Sequence, residues 1–248
     1  MIYELDFRKR GSKYFLGPPQ WRVDGRPVDP LSLRFRNPCF LIHGFRASDE
    51  TTNLVYLIIE NRLYSRYSEF IRVHWPSGWI PTILGWKWAC RQARKVAQAM
   101  QSEITRLAPV FHNGLSFEAH SLGARIAGEV ATELSRYVRH LVLAAPAVSS
   151  RVFALGADWG VLGFNGVEGQ IRTLVAWSKN DSVLSKFYRA VEGDEALGLV
   201  GPPDHLFARG DLLTRRMISL DCSDEVYGLS GHGGYYQLDK FLDSWKEM

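Results

Sequence analysis

From residue 39 onward the chain alternates short apolar runs with stretches of helical spacing, and this alternation constrains the fold more than any other feature. Cys39-Phe40-Leu41-Ile42 suits a strand buried on both faces and stops at His43-Gly44. Ser48, Asp49 and Glu50 then favour a helix start, with Leu54, Leu57 and Ile58 on one face. A strand over 70–75 follows, and Ala93, Val96, Ala97, Met100, Ile104 and Leu107 mark a long amphipathic helix that ends before Pro109. Next come a strand over 115–120, a helix over 122–135, and strands over 139–144, 171–177 and 217–220. Leu238, Phe241, Leu242 and Trp245 mark a closing helix. Such alternation predicts an α/β fold with a mostly parallel central sheet covered by helices on both faces.

The first 28 residues read differently. Residues 2–8 and 13–16 have period-two character, and Trp21-Arg22-Val23 faces Arg26-Pro27-Val28 across the turn dipeptide Asp24-Gly25. An N-terminal antiparallel hairpin is expected, with Pro27 confining its strand to an edge. No repeat, low-complexity tract or linker interrupts the chain, so one domain over 1–248 is expected. Small caps or insertions fit at 149–170 and 187–215.

Composition excludes several classes. With 13 Phe, 10 Tyr and 8 Trp in 248 residues, the chain is too apolar to be disordered. Its longest apolar runs, 54–59 and 141–148, fall short of a membrane span, and the first residues lack the apolar core of a secretory signal. Cys39, Cys90 and Cys222 lie far apart, which points to a reducing, cytoplasmic setting and to no metal site or cofactor. A net charge of +4 with no basic block longer than Arg8-Lys9-Arg10 argues against a nucleic-acid partner.

The sharpest chemical feature is Ala119-His120-Ser121-Leu122-Gly123 between an apolar strand and a helix, a G-x-S-x-G nucleophile elbow with Ala in first position. The following helix carries Gly123, Ala124, Ala127, Gly128 and Ala131, small enough to lie close on the sheet. A serine nucleophile needs a base, and the base an orienting carboxylate. Asp181 follows the strand over 171–177, at the strand edge where open parallel sheets place their sites; its plainer role is capping a helix from Ser182. Among the seven histidines, His232 in Gly231-His232-Gly233-Gly234 is the favoured base and His205 its rival, while His43, His74, His112, His120 and His140 read as structural.

These pieces resemble the α/β-hydrolase superfamily, and more closely a poorly characterised lipase- or esterase-like branch. The resemblance rests on Ile42-His43-Gly44-Phe45, His74-Trp75-Pro76-Ser77, 119–123, Leu143-Ala144-Ala145-Pro146-Ala147, Asn180-Asp181 and 231–236. It departs from the family at Ala119 and in the long interval between Asp181 and His232. The order Ser121, Asp181, His232 is that of the superfamily. The resemblance implies an oxyanion hole from the Phe45 and Leu122 amides, with Gly44 giving the backbone its freedom. Arg46, Trp75 and Trp79 are weaker candidates for substrate contact. The implied function is hydrolysis of a small-molecule ester or acyl compound through a Ser-His-Asp triad and an acyl-enzyme. A thioesterase or amidase, or a non-catalytic binding protein on the same fold, is the alternative.

Overall fold

A computed structural model describes residues 1–78, 82–154, 157–160, 162, 171–203, 217–227 and 231–248. Its strands are β1 (Tyr3–Arg8), β2 (Leu16–Val23), β3 (Arg26–Pro27), β4 (Pro38–Ile42), β5 (Glu69–His74), β6 (Leu115–His120), β7 (Val138–Ala144), β8 (Arg172–Trp177) and β9 (Met217–Asp221). Together they form one sheet in the order β3-β2-β1-β5-β4-β6-β7-β8-β9. Every pairing from β1–β5 through β8–β9 is parallel, and only β1–β2 and β2–β3 are antiparallel. The expected mixed architecture is therefore present, its antiparallel part confined to the N-terminal edge.

That edge follows from its turn chemistry. Asp24 and Gly25 both have positive φ (49° and 76°), the requirement of the tight turn whose twist matches a hairpin. Pro27 sits on the outermost strand, where its missing N–H costs no ladder bond. Residues 13–15, expected in a strand, instead complete a loop. Arg10 (φ 53°) and Gly11 (φ 73°) reverse the chain, Lys9 N–H donates to Phe15 O at 2.7 Å, and β2 begins only at Leu16.

Helix α1 (Asp49–Leu63) starts where Ser48 Oγ accepts from Thr51 N at 3.1 Å. Helix α2 (Ile83–Arg106) is capped in the same way by Thr82. The sequence suggests a loop over 75–88, but the cap turns the chain into helix at Ile83 and buries Trp86 on it. Helices α3 (Gly123–Glu133) and α2 pack together over one face of the sheet, and α1 lies beside α4 (Asp239–Glu247) over the other. The central strands β4, β6 and β7 are buried almost throughout, as doubly covered parallel strands must be. Of the expected insertions, residues 149–154 and 157–160 pack inward through Phe153 and Trp159, and 187–203 form single helical turns at Arg189–Glu192 and Leu197–Val200. The remainder of both segments lies outside the described residues. Among the described residues, no helix is long and apolar enough to cross a membrane.

Candidate active site

The carboxyl ends of β4, β6 and β8 meet at one point. After β6 the chain turns sharply at Ser121, which has φ of 53° despite its side chain. Such a conformation persists only when the surroundings hold it. Here Ser121 N–H donates to Ala144 O at 2.9 Å, and its carbonyl accepts from Ala124 N and Ala147 N. The glycines beside it have geometric causes. A Cβ on Gly44 would stand 2.9 Å from Ser121 Cβ, and one on Gly123 would stand 2.5 Å from His43 O. Only glycine at these two positions lets the β4 loop, the elbow and α3 come together.

Ser121 Oγ lies 2.9 Å from His232 Nε2, and His232 Nδ1 lies 2.6 Å from Asp181 Oδ2. Because a carboxylate only accepts, Nδ1 carries the proton and Nε2 is left to accept from the serine hydroxyl. Asp181 is fully buried, and its second oxygen, Oδ1, accepts from Val183 N and Leu184 N at 3.0 and 3.1 Å. Its two expected roles, helix cap and partner of a histidine, are thus divided between its two oxygens.

A parallel sheet in this strand order, with a strained serine at the β6–α3 turn, decides the fold. The chain has the α/β-hydrolase fold.

The α/β-hydrolase frame also sets the neighbouring groups. Among the described residues, the Phe45 and Leu122 amides donate no hydrogen bond, and Leu122 sits at the positive N-terminal end of α3. His43 donates through Nδ1 to Gly44 O at 3.0 Å and stacks on Trp75, whose indole N–H donates to His43 O at 2.9 Å. Burial lowers the His43 imidazole to about 3, so it stays neutral. Trp75 is buried in this contact, Arg46 is exposed at φ 58°, and Trp79 and His205 lie outside the described residues.

Three side chains that sequence reasoning did not assign to the site belong to its surroundings. His120 Nε2 donates to the His232 carbonyl at 2.7 Å, and burial lowers its imidazole to about 4. Glu118 is buried two residues before it on the same face of β6 and accepts from Tyr236 O–H. Burial drives the Glu118 carboxyl up to about 8, against the opposing pull of that hydroxyl. A charged residue inside the apolar run Leu115-Ser116-Phe117-Glu118-Ala119 was the available signal.

An apolar cavity of about 250 Å³ adjoins these groups, walled by Gly44, Phe45, Val55, Glu118, His120 and His232. No group of three or more metal-ligating side chains occurs among the described residues.

No protein-family model matches the sequence, and no curated protein matches it significantly. Solved structures do align with it. An esterase of Pyrobaculum calidifontis is 18% identical at a TM-score of 0.44, over 90% of this chain and 77% of that one. Est1E from Butyrivibrio proteoclasticus is 11% identical at 0.47, over 91% and 94% of the two chains. A thermostable carboxylesterase cloned from a metagenomic library is 13% identical at 0.40, over 87% and 78%.

Proposed function

We propose that this chain is a serine hydrolase that cleaves small carboxylic esters through an acyl-enzyme. The observation that carries the reading is the pair of hydrogen bonds joining Ser121, His232 and Asp181, built on a serine held at positive φ. His232 Nε2 takes the Ser121 hydroxyl proton as Oγ attacks the ester carbonyl. The oxygen that becomes negative is met by the Phe45 and Leu122 amides, which donate to no other group among the described residues. Asp181 holds the imidazole in the tautomer with Nε2 free and stabilises the imidazolium. Collapse of the tetrahedral intermediate breaks the bond to the alcohol oxygen, which leaves with the proton from His232. Water then gives its proton to His232 and attacks the acyl group. Ser121 regains a proton as the carboxylic acid departs.

The test is labelling with a fluorophosphonate probe followed by peptide mapping. The expected result is a single adduct on Ser121 that is absent from Ser121→Ala. A folded protein that resists the probe overturns the reading in favour of a binding role.

A further inference from the structure

Nothing in the hydrolytic steps above uses Glu118, and a carboxyl group buried in the middle of a central strand is costly unless something compensates it. Its compensation is incomplete. Tyr236 O–H serves Oε1, and no partner for Oε2 occurs among the described residues. The same side chain lines the cavity that Gly44, Phe45 and His232 share with the candidate active site. The remaining wall is mostly apolar and includes Ile42, Val55, Tyr56 and Val183.

We infer that this cavity binds an uncharged apolar group bearing one hydrogen-bond-accepting oxygen, of the ketone or ester carbonyl type, and that Glu118 donates to that oxygen as a neutral carboxylic acid. The donor follows from the hydrogen-bond inventory. A carboxylic acid has one O–H. With Oε1 accepting from Tyr236, Oε2–H is the group left to face the space. The size follows from the volume: a dry cavity of about 150 Å³ admits benzene, so about 250 Å³ suits a six-membered ring with a substituent. A cationic ligand fits poorly, because a carboxyl group that burial keeps protonated offers it no opposite charge. Placing this group on the substrate rests on the ester-hydrolase reading; its binding does not.

Among the described residues, Cys39 on β4, Tyr56 on α1 and Tyr236 interact electrostatically with Glu118, and His43, His120 and His232 share its cavity. Burial keeps the His43 and His120 imidazoles neutral and the Cys39, Tyr56 and Tyr236 groups protonated near neutrality. His232 lines the same cavity, so comparison of the natural protein with Glu118→Gln is what assigns a pH effect to Glu118.

The experiment is calorimetric titration of the full chain with cyclohexanone, toluene and cyclohexylammonium, none of which can be hydrolysed. At pH 6.5 cyclohexanone should bind, and Glu118→Leu should lower the cyclohexanone-to-toluene affinity ratio at least fivefold, about the weight of one buried hydrogen bond. Glu118→Gln, which keeps an N–H donor, should hold the ratio within twofold. Raising the pH to 9 should weaken cyclohexanone binding at least threefold in the natural protein and leave Glu118→Gln unaffected, an arm that stands even if the Leu variant fails to fold. The inference is overturned by an unchanged ratio in Glu118→Leu, by equal pH losses in the natural protein and Glu118→Gln, by tighter binding of cyclohexylammonium, or by no binding of cyclohexanone. Repeating the titration with Ser121→Ala separates the outcomes: cyclohexanone binding there, without ester turnover by the natural protein, would refute the hydrolase reading alone.

Discussion

His120 Nε2 donates to the main-chain carbonyl of His232 at 2.7 Å, so the residue before the elbow serine holds the residue that meets the serine hydroxyl. The two rings lie 4.9 Å apart. A base must be fixed to within a fraction of an ångström to accept a proton in line. Under the proposed reaction His120 is therefore expected to be a positioning residue acting through His232.

His120→Phe, which removes the donor but keeps a ring, is expected to lower kcat on a short activated ester about tenfold with little change in KM. His120→Gln, whose amide N–H reaches to a similar place, should recover most of the loss. A merely structural role would not produce this rescue. Equal loss in both variants, at equal melting temperature, would refute the positioning role.

The division of labour at Asp181 gives a second expectation. Asp181→Asn keeps an oxygen for the Val183 and Leu184 amides but favours the wrong imidazole tautomer, so kcat should fall by about 10³ to 10⁴ with the fold intact. Asp181→Ala loses the cap as well and should cost about 1 kcal/mol of stability besides. Denaturant melts of the two variants beside their kinetics check this. A loss of kcat under tenfold in Asp181→Asn would mean that another acid orients the base.

Much of this arrangement was legible before the structure, for physical reasons that also mark where legibility stops. The buried strands are continuous apolar runs, the cap at Ser48 is a side-chain hydrogen bond of local origin, and the elbow combines a strand, a serine and a small-residue helix within a few positions. Ser121, Asp181 and His232 each follow or flank such elements, so their convergence at strand ends was open to sequence reasoning. The support of His232 by His120 and the pairing of Glu118 with Tyr236 were not, since both join positions more than a hundred residues apart. Only the packing of β6 against the 232–236 segment creates them. Over 75–88 the aromatic content concealed a helix start that depends on one capping hydroxyl.

Gly44 and Gly123 test how tightly the elbow is built. A Cβ at Gly44 meets Ser121 Cβ at 2.9 Å and His120 Nδ1 at 3.0 Å; one at Gly123 meets main-chain oxygens of Ile42 and His43 at 2.6 and 2.5 Å. Backbone atoms in a buried sheet cannot give way as a flexible side chain does. Gly123→Ala should therefore lose several kcal/mol of stability, in the range of core overpacking of about 1–3 kcal/mol or somewhat beyond it. Gly44→Ala should melt closer to the natural protein but lose most labelling by the fluorophosphonate probe, because the displaced group is the serine itself. Full labelling of Gly44→Ala would show that the elbow tolerates movement the distances do not allow.

The buried ionisable groups predict how stability depends on pH. Burial lowers His43, His120 and His140 to about 3, 4 and 4 from an ordinary 6.5, so the unfolded chain takes up protons that the folded chain refuses as pH falls below about 6.5. Their contribution is present above that value and is lost toward acid. Glu118 acts in the opposite sense. Raised to about 8 from 4.5, it stays protonated in the fold while the unfolded chain has already ionised. Its contribution is full below pH 4.5 and declines until pH passes 8, at about 1.4 kcal/mol for each unit of separation. Between 4.5 and 6.5 the three histidines outnumber the single carboxyl and stability should rise with pH; between 6.5 and 8 only the carboxyl among these four groups still differs, and stability should fall. The melting temperature is therefore expected to peak near pH 6.5. In Glu118→Gln the alkaline decline should shrink and the acid limb between pH 4.5 and 6.5 should steepen, because the amide does not titrate and so removes the carboxyl's opposing slope while the histidines are untouched. Thermal melts of both proteins from pH 4 to 8.5 measure this, and an unchanged alkaline decline in the Gln variant would show that Glu118 is already ionised in the folded protein at neutral pH.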